Sequence, residues 1–158
     1  MKKLLLILTC LFSFALAAEP TTDHSQHQHG ALPLPEDIRP LIQQEMNELK
    51  QAMESLVFLV ISAQWLEIEK LATSIENTFI MKKTLSKKQM QQLHSVLPLP
   101  FKQYDKAFHG YAGKLAVAAK DHNIELVQFY RYKMNEVCTS CHAAFANHLF
   151  TGFNQPVQ

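Results

Sequence analysis

The helical fold is predicted most clearly by residues 101–118, which read FKQYDKAFHGYAGKLAVA. Large apolar side chains recur here in alternating steps of three and four residues, at Phe101, Tyr104, Phe108, Tyr111, Leu115 and Ala118. That spacing predicts a helix with one apolar face, because an α-helix turns once every ~3.6 residues. Gly110 and Gly113 interrupt this helix. Either a neighbouring helix or flat cofactor approaches closely there, or the glycines are tolerated at the surface.

Three further segments show helical spacing. The first covers about 36–62, with Pro40 in its first turn and an apolar stripe at Ile42, Met46, Leu49, Met53, Leu56 and Val60. The second runs from Trp65 to Ile80, and the last from Ile124 to about Leu149. Four amphipathic helices with mostly short joints predict an all-α fold, an antiparallel four-helix bundle.

The joints between these helices carry turn and cap residues. Asp121-His122-Asn123 predicts the turn before the last helix, and Pro98 and Pro100 are expected to break the chain before the third. The polar segment 82–96 is compatible with a short helix capped by Ser86.

Composition excludes several other classes of protein. Hydrophobic residues make up 47% of the 158 residues, which supplies a core and excludes a wholly disordered chain. Only 4 Gly and 7 Pro occur, which argues against a turn-rich all-β fold. Lys and Arg total 15 against 14 Asp and Glu, a formal charge of +1, so we expect no nucleic-acid partner.

Residues 1–18 predict a secretory signal peptide. Lys2 and Lys3 precede a short apolar run, which ends in the small-residue pattern Ala15-Leu16-Ala17. We therefore expect export to a bacterial periplasm. After it we expect a flexible polar leader (19–35), the helical domain (36–150) and a C-terminal tail (151–158). In the leader, His24, His27 and His29 form either a transition-metal site or part of a solvated tether.

The motif that indicates chemistry is Cys138-Thr139-Ser140-Cys141-His142, a C-x-x-C-H sequence. On a helix Cys138, Cys141 and His142 share one face, because residues three and four apart are neighbours. Two thiols on that face can form thioethers with the two vinyl groups of one porphyrin, while the imidazole reaches the iron. This is the attachment signature of c-type haem, so we expect one covalent haem c, with His142 as its proximal iron ligand.

Three other uses of the two cysteines agree less well with the sequence than haem attachment. A thioredoxin-like redox pair needs a βαβ setting, which the pattern lacks. A zinc site needs a second pair of ligands, and only Cys138 and Cys141 remain once the signal, with Cys10, is removed. A structural disulfide would not need His142.

The helices and the motif together resemble the cytochrome c prime group, the class II c-type cytochromes. The resemblance covers about 36–149, and its specific part is Cys138 to Phe145. It implies thioethers at Cys138 and Cys141, with His142 as proximal ligand, and Phe145 matches an aromatic residue common three positions after that histidine. Ala146 stands where relatives often carry a basic residue, and the link 81–100 is longer than usual.

The resemblance also implies that the sixth position of the iron faces the first helix, either empty or filled by methionine. Met46 is the candidate ligand, and Met53, two turns along the same stripe, is a second. The alternative explanation is that both are ordinary core residues, the usual role of methionine on an apolar helix stripe. The remaining histidines in the helical region are expected at the surface: His94, His109, His122 and His148. Arg39, Lys102 and Arg131 are candidates to pair with haem propionates.

These features predict a periplasmic cytochrome that carries single electrons between periplasmic or membrane-bound redox proteins. The alternative is a haem protein whose open sixth position binds NO or CO. No nucleophile is paired with a base and no phosphate-binding loop is present, so an enzyme is not expected. The apolar run Phe58-Leu59-Val60-Ile61 is wider than one stripe needs, which is compatible either with a homodimer or with burial in the core.

Overall fold

A computed structural model describes residues 31–77 and 85–154. These residues form five α-helices: α1 (Arg39–Ile61), α2 (Trp65–Glu76), α3 (Lys87–Val96), α4 (Leu99–Lys120) and α5 (Ile124–Phe145), followed by a 3₁₀ helix at Thr151–Asn154. The described ranges contain no strand, which confirms the all-helical prediction. The signal peptide, the three leader histidines, Phe79 and Ile80, and the last four residues of the tail lie outside them. No helix within the ranges is long and apolar enough to cross a bilayer.

The helix starts follow from local chemistry. Ser86 caps α3 in a capping box, in which its hydroxyl accepts from the Gln89 amide and the Gln89 side chain accepts from the Ser86 amide at 3.1 Å. Asn123 caps α5, and its side chain accepts from the Leu126 amide at 3.0 Å. Pro100 lies inside the first turn of α4, where the missing N–H costs little. Pro98 precedes the helix as its N-cap, as expected, but the expectation that Pro100 also breaks the chain before this helix is wrong.

The helices pack as two hairpins. Residues 62–64 join α1 to α2, and Asp121–Asn123 join α4 to α5. In each turn one residue, Ala63 or His122, has a positive φ, of 52° and 53°. Trp65, at the start of α2, stacks on His122, just beyond the end of α4, with ring centroids 5.2 Å apart. The α2 and α4 helices are therefore antiparallel, and α2 ends at Glu76, beside Gly113 in the second half of α4. One end of the molecule holds the starts of α1 and α4 and the end of α5. We call it the motif end.

The core lies where α4 packs against both α2 and α5. Its fully buried side chains come from all four long helices: Leu56, Ile68, Ile75, Leu115, Val127 and Met134. The α1 helix packs on α2 but touches α5 only sparsely. The short α3 packs through buried Leu93, and Gln89 donates to Asp37 just before α1 at 3.3 Å. The arrangement is tight away from the motif end and looser near it.

The apolar stripe predicted for α1 is only partly buried. Leu56 and Val60 are buried, Ile42, Leu49 and Met53 are half-buried, and Met46 is 42% exposed. The buried line along α1 instead passes through Glu45 and Ala52. Glu45 and Ala52 each precede a predicted stripe position by one residue, whereas Leu56 and Val60 are at predicted positions.

The two glycines of α4 have different surroundings, so each of the two explanations applies to one of them. A Cβ on Gly110 would meet nothing within 4 Å, and the residue is exposed. A Cβ on Gly113 would lie 2.5 Å from Cδ of Glu76 at the end of α2. Gly113 is buried, so the missing Cβ leaves room for the Glu76 side chain from the neighbouring helix.

Candidate functional site

The C-x-x-C-H motif lies in the last turns of α5, at the motif end. Cys138, Cys141 and His142 are all half-buried, and both cysteines are free thiols. The two spacer residues bond to their own helix, because the Thr139 and Ser140 hydroxyls donate to the Glu136 carbonyl at 2.9 and 2.8 Å. The spacer side chains are thus engaged with the backbone, while the thiols and the imidazole share the adjoining helix face.

The two thiols lie in an apolar environment. Burial raises the pKa of Cys138 to about 11. Burial, followed by the nearby Cys138 and Asp105, raises the pKa of Cys141 to about 11 as well. Both side chains are therefore protonated at neutral pH. This disfavours a thiol–disulfide redox catalyst, which needs an activated thiolate, and it agrees with the lack of strands in the described ranges.

The imidazole of His142 is suited to bind a metal. Burial lowers its pKa, so the neutral form, which carries the lone pair that ligates iron, is favoured. One face of the ring stacks on Phe150, with centroids 4.4 Å apart and planes inclined by 12°. Neither ring nitrogen has a hydrogen-bond partner among the described residues. The ring edge is therefore free to act as a ligand.

Aromatic contacts fix the end of α5 on the start of α4. The Phe145 ring meets Phe101 edge to face at 5.6 Å and Tyr104 at 6.4 Å. Such pairs contribute about 0.5–1.5 kcal/mol each beyond the area they bury. They place the motif beside the first turns of α4.

The walls of this end are apolar but incompletely covered. Met134 is fully buried, whereas from Val137 to Asn147 every residue except the exposed Thr139 is half-buried. On α1, Ile42 and Leu49 are half-buried as well, and α1 hardly touches α5. Such partly covered walls suit a flat apolar group that is held by two thiols and one neutral imidazole. The residues present therefore fit a covalent haem.

The candidate sixth ligands lie on α1. Because α1 starts at the motif end, Met46 lies toward the same end of the molecule as His142. Its side chain is 42% exposed and makes no part of the buried core. Met53 is half-buried against the core, two turns further from the motif end. Of the two methionines, only Met46 has a side chain that is not packed against the core.

Three of the other histidines are exposed, as predicted: His94, His122 and His148. The prediction that His109 faces outward is wrong, since its side chain is only 14% exposed. Its Nδ1 lies 2.6 Å from the Ile75 carbonyl and its Nε2 lies 3.4 Å from Asp105 Oδ1. The carbonyl at the end of α2 draws this ring inward.

His109 belongs to a polar cluster that the periodicity did not reveal. Burial on its own lowers the pKa of His109, but the hydrogen bond and charge of Asp105, the Ile75 carbonyl and the charge of buried Glu45 together raise it. The signal available in the sequence was the Asp105–His109 spacing of four residues, which pairs side chains on a helix. No group of three or more His, Cys, Asp or Glu suited to a bare metal ion occurs in the described part of the chain.

Two of the three candidate cations for haem propionates are hydrogen-bonded to neighbours in their own segment. Arg39 donates to the Leu34 carbonyl at 3.3 Å, and Arg131 donates to Gln128 Oε1 at 3.0 and 3.1 Å. Lys102 is half-buried near the start of α4. It lies between Phe101 and Tyr104, the two aromatic residues that contact Phe145.

No protein-family model, curated protein or solved structure matches this chain.

Proposed function

We propose that this protein is an exported c-type cytochrome that binds one haem covalently and carries single electrons between periplasmic or membrane-bound redox partners. The observation that carries the proposal is the placement of Cys138, Cys141 and His142 on one face of α5, with both thiols free and protonated and the imidazole neutral. This is the state in which all three groups are ready to receive a haem. We assign the protein no enzymatic reaction.

We propose further that α1, α2, α4 and α5 form an antiparallel four-helix bundle around the haem, as in the class II cytochromes that the sequence resembles. The antiparallel order of the two hairpins supports this arrangement. The short α3 belongs to the link between the second and third bundle helices. That assignment accounts for the length of the link.

Each part of the site has a distinct role in this proposal. The haem supplies a one-electron couple, with a potential set by axial ligands and burial. Cys138 and Cys141 would each hold the haem by one thioether, formed by adding S–H across a vinyl double bond with sulfur on one carbon and hydrogen on the other. His142 holds the iron from the α5 side. The half-buried apolar residues of α1 and α5 exclude water from the haem faces.

A second function, the binding of NO or CO, is favoured by the exposure of Met46. A methionine that is 42% exposed is not held in place by packing, and an iron without a sixth protein ligand binds small gases. The two functions therefore differ in what Met46 does. In the electron carrier it closes the sixth position, and in the gas binder it leaves that position open.

Absorption spectra of the purified exported protein test both functions. The oxidised and reduced forms, with and without CO, are compared for wild type, Met46→Ala and the matched control Met53→Ala. If Met46 ligates iron, Met46→Ala changes the ferrous spectrum from low-spin to high-spin and Met53→Ala does not. A wild type that is already high-spin and binds CO at once supports the gas-binding function. A protein with no Soret band contradicts both.

The partner surface includes exposed apolar residues at the end of α1. Phe58 is 62% exposed and Ile61 73% exposed, whereas Val60 between them is buried. The apolar run thus divides into a core side and a surface side. This division supports our proposal that the protein forms a homodimer through α1.

A further inference from the structure

The residues after α5 fold back over the motif. We call Ala146–Asn154 the C-terminal segment. Its turn is closed by the Leu149 and Phe150 amides, which donate to the Ala146 carbonyl at 2.8 and 3.1 Å. The Asn154 side chain donates to the Asn147 carbonyl at 3.2 Å, which ties the 3₁₀ helix to the end of α5. The segment therefore has a defined conformation.

This conformation places Phe150 on the imidazole of His142. The two rings are nearly parallel, at 4.4 Å and 12°. Phe153 supports Phe150 from the side, with its ring at 6.4 Å and 68°. A ring stacked on the face of an imidazole leaves the ring edge, where both nitrogens lie, unobstructed. The contact thus restricts the plane of the ring without competing for its lone pair.

We propose that Phe150 is a positioning residue that fixes the plane of the iron-bound His142 imidazole, and this inference rests on the proposed haem function. A helical histidine rotates about two side-chain bonds, and within the described residues no hydrogen bond restrains this ring. The second partner that commonly orients a metal-bound histidine is a carbonyl or carboxylate on its free nitrogen. In this protein the stacked Phe150 takes over that orienting role.

The contact between Phe150 and His142 also holds the C-terminal segment against the end of α5. Phe150 is 44% exposed, so the face of its ring that meets His142 is covered while the rest meets solvent. Stacking excludes water from one side of the imidazole. The segment therefore acts as a cover over one face of the His142 ring, at the end of α5.

The test uses the full-length haem-loaded protein and the variants Phe150→Ala, Phe150→Leu and Phe150→Tyr. Phe129→Ala is the matched control, because Phe129 is an exposed phenylalanine of α5 that contacts Tyr130. Proton NMR of the ferric cyanide adduct is the readout, since the spread of the haem methyl shifts reports the plane of the proximal imidazole. Cyanide fills the sixth position in every sample. The readout is therefore independent of Met46.

We expect Phe150→Ala and Phe150→Leu to narrow the spread of the methyl shifts, because a free imidazole averages over several planes. Phe150→Tyr should retain the wild-type spread, and Phe129→Ala should leave it unchanged. Circular dichroism checks folding, and Phe150→Leu, which keeps the apolar bulk, decides the matter if the alanine variant is unfolded. An unchanged spread of the methyl shifts in Phe150→Leu overturns the positioning role of Phe150 and leaves the proposed function intact. A wild-type chain without attached haem overturns the proposed function and the inference together.

Discussion

The two glycines of α4 give a matched test of how closely α2 and α4 approach. They lie three residues apart on one helix, but Gly113 faces the end of α2 and Gly110 faces open space. Replacing each by alanine and by leucine changes the helix propensity in the same way at both positions. Any difference between the positions then measures the contact with Glu76.

The expected magnitudes follow from the surroundings. Gly110→Ala should raise the free energy of unfolding by about 1 kcal/mol, the propensity difference between the two residues in a helix interior. Gly113→Ala should give less, between zero and that value, because the exposed Glu76 carboxylate must swing aside. Gly113→Leu should lower the free energy of unfolding by about 1–3 kcal/mol, the usual cost of overpacking, because its side chain forces α2 away. Gly110→Leu should behave like Gly110→Ala.

Urea unfolding followed by circular dichroism measures these differences. With a slope of about 2 kcal/mol per molar urea, 1 kcal/mol moves the midpoint by about 0.5 M. The four variants should therefore separate into three that are neutral or stabilised and one that is clearly destabilised. If Gly110→Leu is as destabilising as Gly113→Leu, the packing of α2 on α4 described above is incorrect.

Three further predictions concern the core, the buried histidine and the surface. Met134→Ala should lower the free energy of unfolding by about 2–5 kcal/mol in urea titrations, since its fully buried side chain leaves a cavity. His109→Gln should destabilise the protein more at about pH 5.5 than at about pH 8.5. A raised pKa means that the protonated ring stabilises the fold fully below the ordinary histidine pKa, and this contribution is lost as pH rises through the raised value. An equal effect at both pH values would show that folding does not raise the pKa of His109. Phe58→Ser should shift sedimentation toward the monomer, and an unchanged dimer would exclude that surface.

Local signals in the sequence predicted much of the fold. The spacing of apolar residues located the four long helices. Ser86 was predicted as a cap and Asn123 as part of the turn before the last helix, and both cap helices through contacts with neighbouring residues only. The C-x-x-C-H motif was equally local, so its place on one face of α5 followed from spacing alone. Pro100 was predicted to break the chain but lies within α4, because a proline in the first turn of a helix has no hydrogen bond to lose.

Features that depend on another part of the chain were not predictable in the same way. His109 is half-buried and faces inward because a carbonyl from α2 is its partner, and Glu45 is buried nearby. Periodicity along either helix could not show this contact. The α5 helix ends at Phe145 rather than near Leu149, because the chain turns at Ala146 to bring Phe150 onto His142. The only local signal for that contact was an aromatic residue just beyond the motif helix.

The intact mass of the exported protein, produced in a cell with a functional cytochrome maturation system, tests the central claim most directly. The account predicts a mass equal to the processed chain plus one haem, retained after acid denaturation because two thioethers hold it. Cys138→Ala with Cys141→Ala should remove this increment, while Thr139→Ala, a change within the motif that spares both thiols, should not. A wild-type chain with only its polypeptide mass would contradict the account.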